Sequence, residues 1–377
     1  MRRLNFDKMP KGAILGVVGT RPEAIKMSPL FVKMRKANLP LFICSTGQHR
    51  DMLEDAFSPF GIFPDLSLDI MKENQSLSYI TSKILTDLSE LIDNISPVAL
   101  LVHGDTSTAF SAALAAFFKG VKVFHIEAGL RTGDLTNPLP EEFNRRAIAL
   151  MAKHHFAPTV RARDSLLAEG VKECDVTVVG NTAIDALAYT VREDYSSELY
   201  DLAGGKRLII VTAHRREVSE EELYSMLLGI RSAVERYEDV ITIFPVHRSP
   251  RVRKSAENAL CGCKKIILTE PLSPFDFHNL LSKAYLAVTD SGGIQEEAAY
   301  LGVPTLVIRE KTERREAVEA GTVKVCGTHG AEIYMEIKRL LDSPLIRNEM
   351  AKPSDAYGGG DACEKILEKL HDLLKIY

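Results

Sequence analysis

Ala13-Ile14-Leu15-Gly16-Val17-Val18 runs directly into Gly19-Thr20-Arg21-Pro22-Glu23-Ala24-Ile25-Lys26, and the fold turns on how this stretch is read. The first part is apolar throughout, with no alternation of polar residues. A strand reads this way when helices cover both faces of a parallel sheet. The second part changes character: Gly19 permits a tight turn and Pro22 suits a first helical turn. Strand, turn and helix together make one α/β unit.

The unit recurs along the chain. Short apolar runs rich in β-branched residues stand at Leu41-Phe42-Ile43, Val98 to Val102, Val121 to Ile126, Leu208 to Val211, Ile241 to Phe244, Ala287-Val288 and Leu306 to Ile308. Longer helical patterns separate them, and residues 111–118 read as a short buried helix. The alternation predicts a doubly wound α/β protein. The chain has 377 residues, 45% of them hydrophobic, which is too long for one ordinary core. Residues 192–206 are polar and close on Gly204-Gly205 before a fresh strand, so a domain boundary is placed there. The expected domains are 1–195 and 196–355. A final helix in 356–377 carries Ile366, Leu367, Leu370, Leu373 and Leu374 on one face. Either domain could cover that stripe, and the N-terminal domain is taken as the candidate.

Composition excludes some classes. A net charge of −4 with 26% charged residues gives no reason to expect nucleic-acid or membrane-surface binding. Nothing approaches the roughly 18 consecutive apolar residues of a membrane span. The six cysteines are scattered apart from Cys261-Gly262-Cys263, with no second pair to complete a zinc site. They read as reduced thiols of a cytoplasmic protein.

Open parallel sheets bind ligands beyond the carboxyl ends of their strands, so the residues after each run carry the chemistry. Arg21 and Lys26 add charge beside a helix start, where free N–H groups favour phosphate. Solvated charges at a plain helix start fit that segment equally well. Gln48-His49-Arg50, after the second run, faces a cleft or is an ordinary polar loop. His103-Gly104-Asp105 follows the third run, and Asp105 alone reads as a helix cap. His125-Ile126-Glu127-Ala128-Gly129-Leu130-Arg131-Thr132-Gly133 follows the fourth, then Pro140-Glu141-Glu142 opens a helix. Acids in a first helical turn are common, yet Asp105, Glu127 and Glu141 would converge at one sheet edge. Clustered carboxylates repel, which would raise some of their pKa values and make an acid–base site. In the second half, strands end in Ala213-His214-Arg215-Arg216-Glu217, Pro245-Val246-His247-Arg248 and Asp290-Ser291-Gly292-Gly293-Ile294-Gln295-Glu296-Glu297. Ser291-Gly292-Gly293 lets backbone N–H groups approach a diphosphate. It matches neither a Walker loop nor a dinucleotide fingerprint, so ATP and NAD are not indicated.

Taken in order, these motifs, with Glu316-Ala317-Val318-Glu319-Ala320-Gly321, resemble the non-hydrolysing UDP-N-acetylglucosamine 2-epimerase family. The resemblance implies two Rossmann-like domains facing a deep cleft, the GT-B-like architecture shared with nucleotide-sugar glycosyltransferases. It implies a homodimer, UDP-N-acetylglucosamine or UDP as ligand, and no redox cofactor or metal. Carried over by position, the acid–base group is Asp105, Glu127, Glu141 and His214. The nucleotide contacts are Arg21, Lys26, His247, Phe277 by its backbone, Ser291, Gly292, Gly293, Glu297 and Arg314, with Arg145 nearby. An effector site for a second substrate molecule would use Gln48, His49, Gln75, Glu142 and Arg215. The chain departs from the family pattern at Asn74, Val218, Arg248 and Arg315.

The implied chemistry is loss of UDP to a bound 2-acetamidoglucal, followed by re-addition with the C2 proton delivered to the other face. This needs acid–base groups on both faces of C2, donors for the departing diphosphate and exclusion of water. Three alternatives stay open: a hydrolysing epimerase, an epimerase of a diacetamido-uronate nucleotide served by Arg248 or Arg315, and a GT-B-type glycosyltransferase.

Overall fold

A computed structural model describes residues 11–47, 50–68, 70, 75–215 and 218–375, without the side chains of 50–52. By contacts the chain divides into two compact units, residues 1–189 with 358–377, and residues 190–357.

The strands of the first unit are β1 (Ile14–Val18), β2 (Leu41–Ser45), β3 (Leu66–Ser67), β4 (Ala99–His103), β5 (Lys122–Ile126), β6 (His154–Ala157) and β7 (Val176–Val178). They form one seven-stranded sheet in the order β3-β2-β1-β4-β5-β6-β7, with parallel pairing throughout. Alternate side chains serve two cores. Ile14 and Val18 pack with Met27, Leu30 and Phe31 of the helix Arg21–Lys36. Leu15 and Val17 pack on the other face with Ile84, Leu88 and Ile92 of the helix Leu77–Ile95. Burial on both faces is why β1 is apolar at every position. The C-terminal helix Ala362–Leu374 belongs to this unit, with Cys363, Ile366 and Leu370 in the first of these cores.

The second unit holds β8 (Arg207–Thr212), β9 (Val240–Pro245), β10 (Ile266–Thr269), β11 (Leu286–Thr289), β12 (Thr305–Val307) and β13 (Val323–Val325). Their order is β10-β9-β8-β11-β12-β13, again parallel. Each unit therefore has the doubly wound order in which the strand sequence reverses beside its first strand. The reversal falls between β1 and β4 in one unit and between β8 and β11 in the other.

The division lies a little before the boundary expected after residue 195. Thr190 Oγ1 bonds His278 Nδ1 at 2.7 Å, Arg192 N–H donates to Asn279 at 2.7 Å, and Tyr195 OH donates to Asp276 at 3.0 Å. These bonds tie residues 190–195 to the helix Pro274–Ser282 of the second unit. The helix over 111–118 begins at Ser107, and its alanines are buried, but Phe117 and Phe118 at its end are exposed. No helix among the described residues is long and apolar enough to cross a membrane.

Candidate active site

Each reversal point is a place where two loops diverge and leave room for a ligand. In the first unit the loops after β1 and β4 are stitched by Glu23. Its carboxylate accepts from Gly19 N–H at 3.0 Å, Thr20 N–H at 2.7 Å and Thr106 Oγ1 at 2.6 Å. Burial raises the Glu23 pKa, and the hydroxyl and backbone donors partly offset this. Gly19 is required for the closeness of these loops. A Cβ there would lie 2.0 Å from Thr108 Oγ1 and 2.6 Å from Thr46 Oγ1.

Asp105 lies just beyond β4. Arg145 donates to its Oδ2 from Nε at 3.0 Å and also from Nη2. Asn144 Nδ2 donates to the Asp105 carbonyl at 2.8 Å. Both come from the helix Glu141–Met151, which is thereby pinned to the β4 loop with Glu141, half-buried, as its first residue. Glu142 is fully buried and accepts from Thr132 N–H at 3.0 Å, Arg145 Nη1 at 3.0 Å and Arg146 Nε at 3.1 Å.

Glu127, the residue after β5, has φ of 59°, a left-handed backbone uncommon outside glycine. Its carboxylate pairs with Lys26 Nζ and accepts from Asn181 Nδ2 at 3.1 Å. His103 Nε2 stands 3.8 Å away. Burial pushes the His103 imidazole down to about 4 despite the nearby Glu127, so it is neutral at pH 7. Asp105 and Glu127 each have a buried cation, Arg145 and Lys26, as immediate partner.

In the second unit the reversal point is built on Asp290, which is 1% exposed. Its Oδ2 accepts the backbone N–H groups of His214 at 2.6 Å and Arg215 at 2.9 Å, and His214 Nδ1 lies 2.9 Å from Oδ1. Burial acts to raise the Asp290 pKa, but His214 and the two amides outweigh it and hold it below the usual carboxylate range. The His214 ring stacks on His247 with centroids 5.7 Å apart. His247 Nδ1 accepts from Ser249 N–H at 3.1 Å, which leaves Nε2 as its proton-bearing nitrogen when neutral.

Ser291 caps the helix Gly292–Leu301 without a side-chain bond, so the first-turn N–H groups carry the partial positive charge of a helix start. Arg314 crosses this start. A Cβ on Gly292 would lie 2.8 Å from its Cζ. Glu296 Oε1 accepts from Arg314 Nε at 3.0 Å, and Glu313 pairs with both Arg314 and Arg309. Burial works to raise the Glu313 carboxyl, but these two guanidinium groups hold it down at about 2. Glu297 is mostly buried, 3.6 Å from His278. Phe277 is half-buried in the helix Pro274–Ser282, and its backbone N–H donates to Ser273 O at 2.9 Å.

Arg21 opens the helix after β1. Gly293 follows Gly292 in the first turn of its helix. Gln75 immediately precedes the cap of the helix Leu77–Ile95. Arg215 donates to the Asp290 carbonyl at 3.2 Å, and its own carbonyl accepts from Arg251. Gln48 and His49 lie outside the described residues, as do Asn74, Arg216 and Glu217. Arg248 and Arg315 are exposed, and Val218 is buried. Among the described residues no group of three or more His, Cys, Asp and Glu is arranged to hold a metal ion. Glu23, His103, Asn181, Asp290 and Glu313 carry no role that was expected from sequence. His103, Asp290 and Asn181 each stand at or just past a strand end, which is the signal that could have found them.

A family model described as UDP-N-acetylglucosamine 2-epimerase matches residues 33–371. The UDP-N-acetylglucosamine 2-epimerase of Bacillus subtilis (strain 168) is 47% identical over 96% of this chain and 96% of its own. The structure of S. aureus MnaA with UDP is 43% identical over 97% of this chain and 98% of that one, with a TM-score of 0.92. A UDP-GlcNAc 2-epimerase from Neisseria meningitidis bound to UDP-GlcNAc is 40% identical over 96% and 100%, with a TM-score of 0.91. With two parallel sheets of Rossmann-like order and a match over nearly its whole length, the chain belongs to the UDP-N-acetylglucosamine 2-epimerase family.

Proposed function

We propose that the enzyme interconverts UDP-N-acetylglucosamine and UDP-N-acetylmannosamine without hydrolysing them. One observation carries the reading: two carboxylates, Asp105 and Glu127, stand at adjacent strand ends, each held by its own buried cation. The C2 proton of the sugar is not acidic, because no carbonyl adjoins it. Breaking the C1–O bond to UDP makes C1 cation-like and weakens C2–H. A carboxylate then takes the proton, leaving 2-acetamidoglucal and UDP. In the return step C2 takes a proton on its other face while the diphosphate oxygen re-forms the C1–O bond. Asp105, Glu127 and Glu141 handle these protons.

The second unit takes the diphosphate at the start of the helix Gly292–Leu301, through Ser291, Gly292 and Gly293, with Arg314 beside it. Glu297 and the Phe277 backbone suit the ribose and base, and Arg21, Lys26 and His247 supply further positive or donor groups. His214, oriented by Asp290, assists the leaving group. We take the enzyme to act as a homodimer. An apolar face of the first unit supports this, where Phe110 meets Phe143 edge-on at 5.8 Å and Phe117, Phe118 and Leu150 are exposed nearby in sequence on the same two helices.

The test is incubation with UDP-N-acetylglucosamine in heavy water, followed by proton NMR. Deuterium at C2 of a UDP-linked mannosamine product is the expected result. Free N-acetylmannosamine would make the enzyme hydrolytic. No exchange without an added acceptor would favour a glycosyltransferase. Turnover confined to a diacetamido-uronate nucleotide would move the substrate.

A further inference from the structure

The Glu127 carboxylate is faced from three elements. Lys26 comes from the helix Arg21–Lys36, His103 from the end of β4, and Asn181 from the loop after β7. Asp105 acts on this cluster electrostatically through His103. The left-handed backbone of Glu127 aims its side chain, and contacts must keep it there.

Asn181 is 2% exposed, and its amide orientation is determined. Oδ1 accepts from Ala183 N–H at 2.9 Å, so the Nδ2 group must be the one that faces Glu127 Oε2, at 3.1 Å. The loop bearing it is held from the far end of the chain. A Cβ on Gly358, whose φ is +99°, would lie 2.9 Å from Gly180 Cα and 3.7 Å from Asn181 N. One turn further on, Asp185 accepts from Ala362 N–H at 3.2 Å and Cys363 N–H at 2.9 Å, at the start of the C-terminal helix.

We propose that Asn181 is a positioning residue for Glu127, a donor of fixed direction that sets the carboxylate's orientation and favours its ionised form, and that the returning C-terminal segment locks this donor through Gly358 and Asp185. The proposal rests on the proton-handling role given to Glu127.

Asn181→Asp keeps an oxygen to accept from Ala183 but sets a like charge beside Glu127. The acid limb of the pH–rate profile for C2 deuterium exchange should move up by about one pH unit. Asn181→Ala should lower kcat by about tenfold to a hundredfold, with KM and UDP affinity near wild type. Gly358→Ala should give a smaller loss of the same kind. A purely structural role would lower the melting temperature and leave the pH profile in place.

A readout free of turnover accompanies these. The 13C carboxyl titration of glutamate-labelled protein, assigned with Glu127→Gln, should show the Glu127 signal titrating higher in Asn181→Asp. If the folded variants keep the wild-type profile, rate and Glu127 titration, the proposal is overturned. If the wild type fails to exchange C2 while the titration still shifts, the functional reading falls and the positioning role stands. Should Asn181→Asp not fold, Gly358→Ala decides: a wild-type rate and titration there overturns the C-terminal lock.

Discussion

Arg145 grips Asp105 with two nitrogens on one oxygen, Oδ2, while its third nitrogen holds Glu142 at 3.0 Å. The guanidinium thus holds Oδ2 in place and joins the helix Glu141–Met151 to the end of β4. Replacing Asp105 by Asn keeps its size and removes its proton affinity. Turnover should fall by about a hundredfold to ten-thousandfold, while UDP binding by calorimetry stays near wild type. Arg145→Lys keeps the charge but loses the fork. Its rate should lie between the two. A near-normal rate for Asp105→Asn would remove that residue from the mechanism.

Gly292 tests the diphosphate site. A methyl group there would meet the Arg314 guanidinium at 2.8 Å. Gly292→Ala should weaken UDP binding by about tenfold or more, roughly 1.4 kcal/mol. The displaced guanidinium is buried and paired with Glu296 and Glu313, so the melting temperature should fall as well. Unchanged affinity would remove Arg314 from the diphosphate site.

Acid stability should report the buried histidines. Burial lowers His103 and His155 to about 4 and His125 to about 3. Each takes up its proton more readily when unfolded, near pH 6.5. The contribution of keeping them neutral is therefore complete above that pH and is lost as pH falls toward 4. Each can contribute up to about 1.4 kcal/mol per pH unit in that window. Asp290 and Glu313 are shifted down, so their contribution is complete above the ordinary carboxylate range and is lost only at lower pH. Urea midpoints at pH 7.0 and 5.5 check this. Equal midpoints would contradict it.

The exposed aromatic face gives a separate test of assembly. Phe118→Glu combined with Leu150→Glu should convert a dimer to a monomer in light scattering coupled to size exclusion, and these side chains are 66% and 86% exposed within this chain. A dimer that survives both changes is built on another surface.

The C-terminal helix should stabilise the first unit. Ile366 is fully buried in its core. Ile366→Ala should cost about 2–5 kcal/mol of unfolding free energy, measured by denaturant titration.

Strand and helix were legible wherever burial on both faces of a strand is met by an unbroken apolar run. Five strands escaped notice, β3, β6, β7, β10 and β13, and two of them show one limit. His154-His155-Phe156-Ala157 and Val176-Thr177-Val178 lie in the sheet but contain polar or titratable residues. Missing β7 hid Asn181 as well, because strand ends locate candidate residues only once the strands are known.

The order of apolar runs and the residues after them determined, without coordinates, a doubly wound α/β chain and the family it resembles. Partnership was decided by tertiary structure alone. That Asp105 belongs to Arg145, Glu127 to Lys26 and Asn181, and His214 to Asp290 follows from strands distant in the chain lying side by side in a sheet. A carboxylate in a sequence carries no record of the cation beside it, and the local charge that its chemistry depends on is set by neighbours supplied by folding.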